Sequence, residues 1–94
     1  MASSPTLPLD GIRVIDMTTT LAGPYGSQIL GDFGADVIKI EAPGGDAIRN
    51  AGPQRHQGMA ATFMGCNRNK RSAVLNLKTA TGKDALWKVL ETAQ

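Results

Sequence analysis

One cysteine, Cys66, in a chain of 94 residues rules out an internal disulfide framework and a multi-cysteine metal site. One histidine, His56, leaves a structural zinc site short of most of its ligands, so no metal is expected. Charge is equally sparse in net terms: ten Lys plus Arg stand against eight Asp plus Glu, a balance of +2 that does not point to nucleic acid. The one dense basic stretch, Arg68 to Arg71, lacks the interleaved aromatics on which bases stack. No apolar run approaches the length of a membrane span. Met1 to Asp10 has neither the basic start nor the apolar centre of a signal peptide. These absences imply a soluble protein of a reducing compartment such as the cytoplasm. There is no internal repeat or heptad, and no catalytic triad, paired-acid set or metal-ligand cluster can be assembled, so no catalytic residue is assigned.

What is present is organised around Gly11 to Pro43. Gly11-Ile12-Arg13-Val14-Ile15-Asp16-Met17 reads as a strand, Leu21-Ala22-Gly23-Pro24 as a small-residue turn, and the following residues as a helix leading to a second, β-branched strand, Val37 to Ile40. A parallel pair needs such a crossover helix. Tyr25, Ile29 and Phe33, widened by Ala22 and Leu30, predict the helical face that packs on the sheet. Pro24 suits the first helical turn and Gly34 a left-handed stop. The fold class is therefore α/β with a parallel sheet. Two strands and one helix leave an edge and a face uncovered, so the chain is read as the N-terminal part of a larger protein.

Along the chain, residues 1–8 are Ser- and Pro-rich and read as a flexible leader. Residues 42–62 are punctuated by Pro43, Gly44, Gly45, Gly52, Pro53 and Gly58 and read as a long surface loop with at most a short helical turn. Ala60 to Met64 suggests another turn of helix, and Gly65 to Arg71 a polar corner. Ser72 to Lys78 then predicts a strand. A last helix is capped by Thr79 or Thr81, with Ala85, Leu86, Val89, Leu90 and Ala93 as its inner stripe.

Two stretches are suited to ligands. Thr18 to Thr20 places hydroxyls at the carboxyl end of the first strand, and the free amides of the Thr20-Leu21-Ala22-Gly23-Pro24 turn suit a phosphate or carboxylate. The alternative is that Ala22 and Gly23 only let the helix close on its strand. The turn lacks the GxGxxG fingerprint, which argues against NAD, although Glu41 stands where an acid could hold a ribose hydroxyl. The second stretch is Asn67-Arg68-Asn69-Lys70-Arg71 with Lys78, suited either to phosphates or to a solvated turn. Asp16 reads as a cap for the Thr18 to Thr20 turn, His56 as a surface histidine, and Cys66 as a thiol without a visible base.

Taken together, Leu9-Asp10-Gly11-Ile12-Arg13-Val14-Ile15-Asp16, Ala22-Gly23-Pro24, Gly31-Asp32-Phe33-Gly34-Ala35-Asp36-Val37-Ile38-Lys39-Ile40-Glu41, Pro43-Gly44-Gly45-Asp46, Asn69-Lys70-Arg71-Ser72 and Leu75-Asn76-Leu77-Lys78-Thr79 with Gly82 closely resemble the opening of the family III CoA-transferases, the CaiB/BaiF family. The resemblance implies a Rossmann-like parallel sheet, the N-terminal part of the large domain of an interlocked homodimer, over residues 9–94. It implies transfer of coenzyme A between an acyl-CoA and a carboxylic acid through an aspartyl anhydride and thioester. That aspartate lies beyond residue 94 in such proteins, so neither Asp16 nor Asp46 takes its role. Relatives that racemise or epimerise 2-methylacyl-CoA esters give an alternative activity, and a noncatalytic fragment acting through chain association gives another.

For the CoA pocket the resemblance assigns Thr20, Leu21 and Ala22 to the first turn, near the pantetheine or nucleotide. Ala42 stands where relatives can carry an arginine toward the adenosine. Leu75, Asn76, Leu77 and Lys78 match the segment lining the adenine and phosphate site, with Lys78 the charged candidate. Asn69, Lys70 and Arg71 match a family signature read as positioning or phosphate attraction. Leu21 replaces a polar residue of the oxalate and formate transferases, which argues against that substrate.

Overall fold

A computed structural model describes residues 6–93. Three parallel strands lie in the order β1 (Arg13–Asp16), β2 (Asp36–Glu41), β3 (Lys70–Val74). Helix α1 (Ala22–Asp32) joins the first two, and a 3-10 turn (Ala47–Asn50) and α2 (Ala61–Cys66) join the second pair. Helix α3 (Ala80–Leu90) follows β3. The expected βαβ unit is therefore present, with Val14 paired to Val37 and Asp16 to Lys39. Pro24 sits in the first turn of α1, and Gly34, at φ 104°, supplies the left-handed turn after it.

The face that α1 turns to the sheet is not the one its apolar spacing predicts. Pro24, Ser27, Gln28 and Gly31 are buried, whereas Tyr25 is 57% and Phe33 50% exposed, with Ile29 and Leu30 also outside. The reason lies in the sheet beneath. Alternation and register put Asp16, Lys39, Glu41, Lys70 and Ser72 on one face, so this face is largely polar and asks for polar partners. Ser27 donates its hydroxyl to Asp16 at 2.7 Å and Gln28 accepts the Arg68 amide at 2.9 Å. Gly31 permits the close approach: a Cβ there would stand 3.1 Å from the Asn69 carbonyl oxygen. Complementarity of polar groups outweighs hydrophobic periodicity.

β3 begins and ends earlier than the Ser72 to Lys78 expectation. Its register runs from Lys70 against Val37 to Val74 against Glu41, and Leu75 adds one more amide bond to the Glu41 carbonyl. Asn76 then ends the strand, accepting the Lys78 amide on its side chain while its carbonyl takes the Thr79 amide. Thr79, rather than Thr81, caps α3 by accepting the Gly82 amide at 3.0 Å. The inner stripe of α3 is half-buried as expected.

The long loop is better organised than its composition suggests. Beyond the 3-10 turn, Gln54 bridges Ala60 in antiparallel fashion, and Ile48, Ala60 and Phe63 form a small core beneath. At the other end of the chain, residues 1–5 of the expected leader lie outside the described residues, while the Leu7 amide donates to Asp10 and the Leu9 amide to the Phe33 carbonyl.

Candidate functional site

At the carboxyl ends of the strands a cleft of about 490 Å3 opens between Met17 and Thr19 after β1, Ile40 to Pro43 at the end of β2, and Leu75 to Lys78 after β3. Sites for small molecules commonly have this size, about 300–1,000 Å3, and parallel sheets commonly bind at this edge. Ala42, Leu75, Asn76, Leu77 and Lys78, widely separated in sequence, thus come together in one wall-and-floor arrangement. Thr20 lines an adjoining hollow of about 200 Å3 that shares Thr19, Ile40, Glu41 and Ala42 with the cleft. Leu21 and Ala22 line neither hollow; both are exposed at the start of α1, whose first turn has no side-chain cap. Thr19, from the Thr18 to Thr20 stretch singled out in the sequence, lines the cleft, whereas sequence reasoning missed Met17, Ile40 and Pro43, which become neighbours only through the parallel register.

The lining is mostly apolar, with a single mobile-length cation at its rim. Among the described residues no ion pair engages Lys78, so its ammonium remains available. Its basic counterparts in the Arg68 to Arg71 run are committed instead. Arg68 pairs with Asp32, Arg71 with Asp36 and Lys70 with Asp16. Arg68 and Arg71 are thus exposed but ion-paired, and Lys70 is buried in its pair. Glu41 is likewise unavailable to a ribose: its carboxylate receives Arg49 in bidentate fashion at 2.7 and 2.8 Å, the Asp46 amide at 2.8 Å and the Ser72 hydroxyl. Arg49 also stacks over Phe63 at 3.9 Å and reaches the Gly58 carbonyl, tying the loop's far end to the cleft.

Asp16 does hold the turn after β1, accepting the Thr18 amide at 2.8 Å and the Thr18 hydroxyl, together with Ser27 and Lys70. Burial pulls its pKa upward, but Lys70, Ser27 and Thr18 outweigh burial and hold it at about 2. Glu41 is held at about 2 chiefly by Arg49, against burial, with help from Ser72 and the Asp46 amide. His56 is exposed, and Cys66 is a half-buried free thiol. Among the described residues no group of three or more His, Cys, Asp or Glu could hold a metal ion, and no helix is long and apolar enough to cross a membrane.

The two depressed carboxylates set an acid limit. Each stabilises the fold fully above its ordinary pKa, 3.8 for Asp16 and 4.5 for Glu41, and loses that contribution as pH falls toward about 2. Each contribution is about 2–3 kcal/mol. Denaturant midpoints are therefore expected to be level above about pH 5 and to fall steeply between about pH 4.5 and 2. Asp16→Asn is expected to flatten that fall.

Comparison with known proteins places this architecture. The family model for CoA-transferase family III matches residues 9–94. The beta subunit of succinyl-CoA--L-malate CoA-transferase from Chloroflexus aurantiacus is 51% identical over 78 residues, which are 82% of this chain and 19% of that protein. A probable fatty acyl-CoA transferase of Mycobacterium tuberculosis is 44% identical over 94 residues, covering 97% of this chain and 24% of its own length. The crystal structure of a CaiB/BaiF family protein from Brucella suis superposes with a TM-score of 0.87 at 41% identity, covering 95% of this chain and 25% of that one. The chain thus spans about a fifth to a quarter of the length of the relatives it matches. On this agreement of sequence and backbone, it belongs to the family III CoA-transferases.

Proposed function

We propose that residues 9–94 form the first part of a Rossmann-like CoA-binding domain, and that the intact protein moves coenzyme A from an acyl-CoA to a carboxylic acid. The observation that carries this reading is the meeting of Ala42 with Leu75 to Lys78 at the carboxyl edge of the parallel sheet. An adenine suits the apolar floor of Leu75, Leu77 and Ile40, and a phosphate suits Lys78. Thr20 lies alongside in the adjoining hollow, and in this reading the pantetheine passes toward the exposed Leu21 and Ala22 at the start of α1. Ala42 offers no cation, so Lys78 carries more of the charge recognition.

In this reading a carboxylate nucleophile from outside residues 9–94 attacks the thioester, forms an anhydride with the acyl group and then carries CoA as its own thioester. Asp16 and Asp46 support placing it elsewhere, since both are buried in ion pairs. Two long chains interlocked as a homodimer would also cover the exposed stripe of Tyr25, Ile29 and Phe33 on α1. The relatives differ in acyl group, succinyl in one name and fatty acyl in another.

Calorimetric titration of the intact protein with CoA tests the reading, and absence of saturable binding would reject it. Lys78→Ala is expected to weaken CoA about tenfold, a typical loss for one charge-assisted phosphate contact. Lys88→Ala, on the exposed side of α3, is expected to leave affinity unchanged. Equal affinities for the two variants would reject the placement of Lys78. Transfer of labelled CoA to a free acid identifies the transferase, whereas exchange at the α-carbon without an acceptor identifies a racemase.

A further inference from the structure

Thr20 has φ 74°, in the left-handed region that a β-branched residue rarely occupies. Such a conformation costs about 1–2 kcal/mol and persists where neighbouring groups enforce it. The enforcing groups come from another loop. Asp46 accepts the Thr20 amide at 3.3 Å and the Ile48 amide at 3.1 Å. Lys39 joins Asp46 at 3.0 Å and also donates to the Thr18 carbonyl at 3.0 Å. Both side chains are nearly inaccessible, 2% and 1% exposed, and lie beneath the hollow that borders the cleft. The Asp46 amide in turn donates to Glu41, the last residue of β2.

Resting on the functional reading above, we propose that Asp46 and Lys39 are positioning residues: they hold Thr20 in its strained conformation and so fix the Thr18 to Thr20 wall against the bound acyl-CoA. Their effect on binding passes through the backbone of Thr20, which makes a specific double-mutant test available. Glycine adopts the left-handed conformation without strain, so Thr20→Gly removes the need for enforcement.

The test uses the intact protein and reads steady-state kinetics together with amide exchange at Thr20. Asp46→Asn is expected to raise KM for the acyl-CoA about tenfold while kcat stays within about threefold, and to speed Thr20 amide exchange. On a Thr20→Gly background, whose own KM is measured first, adding Asp46→Asn is expected to raise KM by less than about threefold, whereas a purely structural defect would raise it as much as in the parent. If Asp46→Asn leaves Lys39 too costly to bury, the Lys39→Met/Asp46→Asn pair, which leaves no lone charge, carries the same test. An unchanged KM and exchange rate in the Asp46 variants, or an equal rise in KM with and without Thr20→Gly, would overturn the proposal. Exchange at Thr20 needs no ligand, so a failure of CoA binding in the parent protein rejects the functional reading separately.

Discussion

Lys70→Met is expected to remove about 3–5 kcal/mol of folding stability, the largest effect of any single substitution considered. The Lys70 ammonium is buried and donates three bonds: to Asp16 at 2.8 Å, to the Pro24 carbonyl at 2.9 Å and to the Asn67 side chain at 2.7 Å. Methionine fills most of the volume but strands the Asp16 carboxylate, whose side chain is wholly buried. Ser27 and Thr18 still hydrogen-bond that carboxylate, yet neither brings a positive charge. The companion Asp16→Asn/Lys70→Met pair is expected to recover about half of the loss, because neutralising the survivor removes the desolvation cost while the Thr18 turn keeps an acceptor. Urea unfolding of the intact protein measures both. A loss below about 1 kcal/mol for Lys70→Met would show that the polar layer beneath α1 is not a principal determinant of the fold.

Gly82→Ala is expected to have the second-largest effect, and to act on the cleft as well as on stability. A Cβ at position 82 would overlap the carbonyl oxygen of Asn76 and lie 2.6 Å from its carbon, so backbone and not a flexible side chain must yield. α3 is thus pressed against the segment that ends β3, and Asn76 lines the cleft. Either α3 moves away, losing part of its half-buried stripe, or the Leu75 to Lys78 wall shifts inward. The expected cost is about 2–3 kcal/mol with an approximately tenfold weaker CoA interaction. Gly26→Ala is the contrasting case: no atom lies within 4 Å of its added Cβ, so only the better helix propensity of alanine remains, about 0.5–1 kcal/mol of stabilisation. Thermal unfolding of the two variants side by side distinguishes steric contact from a general effect of losing glycine.

These two residues also mark where the sequence was legible and where it was not. The βαβ unit could be read because β-branched runs, Pro24 and Gly34 are local signals. The inward face of α1 could not, since Tyr25, Ile29 and Phe33 make a convincing apolar stripe and nothing local says that the sheet beneath is polar. Lys39 and Lys70 were unreadable as buried for the same reason: a lysine enters an interior only beside a carboxylate, and Asp46 and Asp16 reach them through register and loop closure. The alternation Val37-Lys39-Glu41 within an apolar strand was the available clue, because residues two apart share a face. β3 was misplaced because Leu75 and Leu77 alternate like a strand, while pairing with β2 starts at Lys70 and Asn76 supplies a turn. The cleft residues were assigned through resemblance to a family, and their convergence depended on a parallel register that no local pattern specifies.

Hydrogen exchange of the intact protein with and without CoA tests most directly whether the edge formed by β1, β2 and β3 is the binding site. Slower exchange on CoA addition at Thr19, Thr20 and Leu75 to Lys78, with Asp36 at the opposite, amino edge of the sheet unchanged, is the expected result. Saturable CoA binding that leaves those amides exchanging at their original rates would contradict it.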